Sequence, residues 1–224
     1  MNLVSNDPPA RPPSRRSWRC VARPLGIALA AAAAVAIAGC ASQGPPVHLH
    51  SLMAIDVPAR IATAAVIATP VLLDVRLPAQ VDQPQWLVRL PDGSLQSLEQ
   101  ERWAAPLHDE IRQALLEQLA AANIVDARSG VGGAAVRVVL DLRRFDSIPG
   151  REALLEGAWI IAPSAAGAPA ARCDFLYREP AAGPISTLAA AHRKAMARLA
   201  AAIADGVLAV GRNPPVACAS SDRR

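Results

Sequence analysis

An α+β fold is what this sequence predicts: one domain with a mostly antiparallel sheet and two helices packed on one of its faces. Three observations lead there. Between residues 64 and 179 several short stretches are rich in branched apolar residues or alternate apolar with charged ones, as strands do. Two longer runs, 102–122 and 186–210, repeat their apolar residues at helical spacing. The composition is 52% hydrophobic but only 3% aromatic, which implies a core of Leu, Val, Ile and Ala with few large anchors.

The first strand is read in AAVIATPVLLDVRL (64–77), interrupted near Pro70. QWLVRLPDGSLQSL (85–98) places Asp92-Gly93 between two apolar runs, a hairpin signal. In 102–122, Leu107, Ile111, Leu115 and Leu119 recur every four residues, and Pro106 suits the first turn of that helix. SGVGG (129–133) breaks the chain before 135–145, where Val136, Val138, Leu140 and Leu142 alternate with polar residues on a strand with one buried face. Two further strands, 152–162 and 172–179, flank an Ala/Gly/Pro-rich loop. The last helix, 186–210, takes Ser186 as its N-cap and keeps Leu188, Ala195, Leu199 and Ile203 on one side.

Ahead of the fold lies a leader. Arg11, Arg15, Arg16, Arg19 and Arg23 precede a run from Leu25 to Ile37 without charge, then Ala38, Gly39 and Cys40. Basic region, apolar segment and small-residue cleavage site, in that order, make a secretory signal. The apolar run is too short to span a bilayer, which takes ~20 residues. Ile37-Ala38-Gly39-Cys40 resembles the bacterial lipobox, after which Cys40 becomes the acylated first residue, carrying chains such as palmitate. The expected organisation is therefore a cleaved signal peptide (1–39), a lipidated tether (40–48), the folded domain (49–212) and a C-terminal tail (213–224). Charge agrees with this division. The whole chain is +4, but the leader holds five Arg and one Asp, so the mature chain is neutral and offers no basic stripe for nucleic acid.

A search for chemistry returns little. His48 and His50 form an H-x-H pair with no acidic or cysteine partner nearby in sequence, so no metal site is expected. His108 and His192 fall on polar or boundary helix faces and read as surface histidines. No nucleophile, zinc or phosphate-loop motif occurs, and no carboxylate pair stands out, so neither a catalytic residue nor a cofactor is expected. Once Cys40 is acylated and Cys20 removed, Cys173 and Cys218 remain as a candidate disulfide for an oxidising compartment. Spacing leaves that pairing open, because it does not place the two Cα atoms.

Residues 77–111 carry a resemblance. Leu77-Pro78, then Asp82-Gln83-Pro84-Gln85 followed by Trp86-Leu87-Val88-Arg89, then Arg102-Trp103-Ala104-Ala105-Pro106-Leu107, together with RFDSIPGREALLEGAWII (144–161), resemble the ABC-type transport auxiliary lipoproteins. Gln83 and Ala105 depart from the pattern, as does His48-Leu49-His50 at the first strand. The resemblance implies a non-enzymatic outer-membrane lipoprotein on the periplasmic side, supporting membrane integrity. It would work with an MCE-domain periplasmic protein and an inner-membrane transporter component in intermembrane lipid transport, and could self-associate. The alternative of a different class is a membrane-anchored periplasmic hydrolase with an unrecognised site. Pro78, Asp82, Pro84, Gln85 and Trp86 form a proline-flanked turn that could present a docking edge. Trp86 has two readings, a protruding interface anchor or a packing residue, and the scarcity of large aromatics favours the second.

Overall fold

The computed structural model describes residues 44–53, 68–162, 170–212 and Cys218. From Pro45 onward they belong to one compact unit. In chain order the elements are β1 (His48–His50), β2 (Thr69–Arg76), β3 (Gln85–Arg89), β4 (Leu95–Trp103), α1 (Leu107–Ala120), β5 (Ile124–Asp126), β6 (Val136–Ile148), β7 (Glu152–Ala162), β8 (Ala171–Pro180) and α2 (Ile185–Arg212). A short 3-10 turn, Ala127–Ser129, follows β5.

The α+β class holds, but the sheet differs from the expected one. Two mixed sheets form, in the orders β1-β4-β3 and β5-β2-β6-β7-β8. β2 runs parallel to both β5 and β6, and β1 runs parallel to β4, while β3–β4, β6–β7 and β7–β8 are antiparallel. The physical reason is connectivity: α1 lies between β2 and β5 in the chain, and a helical crossover returns the next strand in the same direction, whereas tight turns reverse it. Asp92-Gly93 makes the β3–β4 turn, with Gly93 at φ 88° and the Asp92 carboxylate accepting from the Ser94 N–H at 2.9 Å.

One face of the five-stranded sheet is the core. Val71, Leu73 and Val75 of β2, Val138 and Leu140 of β6, Leu155, Trp159 and Ile161 of β7, and Cys173, Phe175 and Tyr177 of β8 are all buried and share that face by register. Both helices cover it. α1 packs on β2, β5 and α2, while α2 packs on β6, β7 and β8. Leu107, Ile111, Leu115 and Leu119, and likewise Leu188, Ala195, Leu199 and Ile203, are buried as their spacing requires. Gly206 lets α2 approach β7 closely, since a Cβ there would lie 2.7 Å from Ile161 Cδ1 and 3.0 Å from the Trp159 ring. The opposite face carries exposed Asp74, Arg137, Arg143 and Asp174.

Helix ends also depart from expectation. Pro106 sits one place before the helix as its N-cap, where its carbonyl accepts from Asp109 and Glu110. Ser186 is not a cap: α2 begins at Ile185, and Thr187 Oγ1 bonds the Pro184 carbonyl at 2.7 Å instead. Asn123, at φ 56°, turns the chain out of α1 toward β5, and its carbonyl accepts from the Thr69 N–H at 2.9 Å.

Candidate functional site

The connection from β2 to β3 builds the turn singled out above. Val81 is buried and pins it, its N–H reaches the Pro78 carbonyl at 3.1 Å, and the Gln83 N–H reaches the Val81 carbonyl at 2.9 Å. The Pro84 carbonyl accepts from the Trp103 N–H at 3.1 Å, tying the turn to the end of β4. Asp82 and Pro84 are exposed, and Pro78 and Gln85 are half-buried. Trp86 points the other way, only 1% exposed, so it offers no surface of its own. An indole in a domain short of large side chains is worth more inside, where its whole area leaves water.

Trp86 heads a buried polar chain. Its ring packs on Trp103 at 4.2 Å between centroids and meets the edge of His50 at 4.8 Å. Its Nε1 donates to Ser147 Oγ at 2.7 Å, and Ser147 Oγ stands 2.8 Å from His192 Nε2. With one lone pair of the hydroxyl taken by the indole, the hydroxyl proton is available to Nε2. His192 stacks on Phe145, centroids 4.1 Å apart and planes within 4°. It is fully buried, not the surface histidine that helical position suggested, because α2 is covered on nearly all sides. Burial pushes its imidazole down to about 3, the Asp146 charge opposing this only in part. A serine beside a histidine invites a nucleophile reading, yet His192 Nδ1 has no hydrogen-bond partner among the described residues and neither side chain reaches solvent. A neutral, sealed imidazole without an orienting carboxylate lacks the arrangement that activates a hydroxyl. The chain Trp86–Ser147–His192 is a packing device that joins β3, β6 and α2.

A bulge in β6 makes it possible. Register shifts between Leu142 and Arg144, so Phe145 and Ser147 turn inward and Asp146 outward. Asp146 is nonetheless buried beneath Arg89, at 2.9 Å, and Arg144, at 3.0 Å from its Nε. Burial alone would raise its carboxyl, but hydrogen bonds and charge from Arg89 and Arg144 outweigh it and hold the group below the usual carboxylate range.

The H-x-H pair finds its acid through tertiary structure. His48 and His50 lie on β1 with both side chains on one side, and Glu101 of β4 receives both: His48 Nδ1 at 3.0 Å from Oε1, and His50 Nε2 closely on Oε2. Burial pushes the Glu101 carboxyl up, and the two imidazoles more than reverse that, leaving it below its ordinary value. A cavity of about 460 Å³ opens beside them, lined by His48, His50, Glu101, Pro184, Ile185 and Ser186. Another of about 220 Å³ lies among Leu72, Leu73, Asp74, Arg128 and Arg137. Each lining contains one carboxylate, Glu101 in the first and Asp74 in the second. Among the described residues no group of three His, Cys, Asp or Glu side chains is arranged to hold a metal ion.

The segment after β1 is held too. The Glu110 carboxylate, buried on α1, accepts from Ser51 Oγ and from the Leu52 N–H, both at 2.8 Å, and Arg193 of α2 donates to the Ser51 carbonyl at 3.0 Å. At the other end, Cys173 on β8 is joined to Cys218 with Cα atoms 5.4 Å apart. Cys40 lies outside the described residues. Glu101, Glu110, Ser147 and His192 carry no mark of partnership in the sequence, because each meets its partner across at least 45 positions of chain.

The family described as ABC-type transport auxiliary lipoprotein component matches residues 52–204, and this chain belongs to it. The crystal structure of an uncharacterized protein is similar at a TM-score of 0.58 and 13% identity, over 71% of this chain and 97% of that one. The crystal structure of protein XCC0632 from Xanthomonas campestris, of family DUF330, is similar at a TM-score of 0.54 and 19% identity, over 75% of this chain and 97% of that one. At those identities both likenesses speak for the fold. No curated protein matches the chain. Among the described residues no helix is long and apolar enough to cross a membrane.

Proposed function

We propose that this chain is an outer-membrane lipoprotein, anchored on the periplasmic side through acylated Cys40. It serves as a non-enzymatic accessory subunit of an intermembrane lipid transport system that contains an MCE-domain protein and an inner-membrane transporter component. The observation that carries this reading is the family match over residues 52–204, preceded in the same chain by a basic, apolar and small-residue leader ending at Cys40. Residues 1–39 are then removed, 40–48 form the lipidated tether, 49–212 the domain and 213–224 a tail. The Ser147–His192 contact is sealed from solvent and gives a hydrolase reading no support.

The docking edge we assign to Pro78, Asp82, Pro84 and Gln85, with Trp86 as the internal post that fixes it. Buried Val81 and the Pro84–Trp103 hydrogen bond support this, since a turn held from below presents its exposed residues without an ordering cost on binding. The test is a photocrosslinker at Asp82 in the acylated protein, with deletion of the gene in parallel. The reading expects an MCE-domain protein in the crosslinked band, and a deletion strain sensitive to detergents. A deletion strain with normal tolerance and no crosslink from Asp82 would overturn it.

A further inference from the structure

Leu49 and Val47 are the most exposed large apolar side chains among the described residues, at 67% and 49%. They stand nine and seven residues after Cys40. The strand that bears Leu49 is not a loose extension of the tether. His48 and His50 bond Glu101, the Ala104 N–H reaches the His50 carbonyl at 2.8 Å, and Glu110 and Arg193 hold Ser51 and Leu52. Strand alternation puts Leu49 on the side opposite those histidines. Its cross-strand neighbour there is Arg102, which also pairs in register with Gln85 and whose Nε donates to the Glu99 backbone carbonyl at 3.4 Å, leaving its charge without a carboxylate in that contact.

We propose that this edge of the domain is a contact with the lipid surface: Val47 and Leu49 seat at the level of the headgroups and upper acyl chains, and Arg102 faces lipid phosphates. The inference rests on the reading of Cys40 as the lipid anchor. Chain length argues for this occupant over any other. Seven residues reach at most about 25 Å, and Pro45 and Pro46 stiffen the last of them. An acylated Cys40 therefore keeps the bilayer within reach of Val47 at all times, and a contact too weak to form between free partners becomes populated when it is intramolecular in effect. Two apolar side chains beside one cation are the elements of an interfacial contact. A consequence follows for orientation: the β1 edge faces the membrane, and the domain does not swing freely on its tether.

The test uses the full acylated protein in vesicles of phosphatidylethanolamine and phosphatidylglycerol. Two variants, Leu49→Cys and Val131→Cys, carry a polarity-sensitive dye; Val131 is another exposed apolar residue, on the loop before β6. The expected result is a blue-shifted dye at position 49, quenched about five-fold less by aqueous iodide than the dye at 131, and quenched by a lipid-borne quencher. Equal iodide quenching at the two positions overturns the proposal, as does shielding at 49 that appears only when a protein partner is added. Intact mass of the same sample separates the two levels. An acylated chain with a wet position 49 removes this inference alone, whereas a chain without acyl mass removes the anchor reading and this inference with it.

Discussion

Ser147 and His192, forty-five positions apart in the chain, meet at 2.8 Å with no access to water, and Trp86 closes the chain from the other side at 2.7 Å. Three elements that touch different parts of the surface are thereby locked to one another by buried hydrogen bonds. Such a network is costly when half-made and specific when complete, so the turn at Asp82 and the start of β1 inherit their position from it.

Acid should weaken the fold through His192 first. Its imidazole is held near 3 when folded and returns to about 6.5 when unfolded, so between those values the unfolded chain binds a proton that the folded chain does not. Stability is then full above about pH 6.5 and falls as pH falls, by up to ~1.4 kcal/mol per unit. Asp146 acts in a lower window: its depressed folded pKa gives stability present above its ordinary value and lost as pH drops through the folded one. Urea unfolding between pH 4.5 and 7.5 should show the first slope, and His192→Gln should flatten it.

Gly157 and Gly206 should separate two kinds of crowding. A Cβ on Gly157 would meet the Asp141 carbonyl oxygen at 2.3 Å, a backbone atom at the β6–β7 bulge, whereas on Gly206 the nearest atoms belong to side chains, Ile161 Cδ1 at 2.7 Å and the Trp159 ring at 3.0 Å. Gly157→Ala is expected to cost about 3 kcal/mol or more, and Gly206→Ala about 1 to 2 kcal/mol after the gain in helix propensity. Chemical denaturation of both variants checks the ranking.

Cys218→Ser should release the chain end from β8. A closed loop with a sequence separation of 45 corresponds to at most about 4 kcal/mol in the loop-entropy model. Non-reducing intact mass should show the wild type lighter by two hydrogens than its reduced form. A free thiol at Cys173 in protein isolated from the periplasm would count against the pairing.

Removing the Glu101 carboxylate should free β1 while sparing the fold. Partly exposed ion pairs contribute about 0–1 kcal/mol each, so Glu101→Ala is expected to leave global stability within ~1 kcal/mol of wild type. Hydrogen exchange at the Ala104 amide, which bonds the His50 carbonyl, should nonetheless accelerate about ten-fold. Unchanged exchange would mean that Glu110 and Arg193 hold the strand without help.

Local pattern carried most of the fold. The β3–β4 hairpin, strands β6 to β8 and the buried stripes of both helices were legible because period, turn chemistry and composition act within a few residues. β5 escaped notice, being three residues long directly after α1. Alternation in β6 was readable as far as Leu142, beyond which an unbroken period of two would have put Arg144 and Asp146 inside. One extra residue at the bulge sent Phe145 and Ser147 there instead, and no local signal marks such an insertion.

By itself the sequence determined the α+β class, the presence of the main strands and of both helices, and the family resemblance, all of which depend on neighbours along the chain. Tertiary structure alone decided that the sheet divides in two with parallel pairs, that Trp86 and His192 face inward, and that His48 and His50 share Glu101. Those outcomes depend on which distant segments the core brings within a few ångströms of one another. Pairing a histidine with an acid more than fifty residues away is a property of register between strands, and register is set by the burial of the whole face, not by the residues that meet across it.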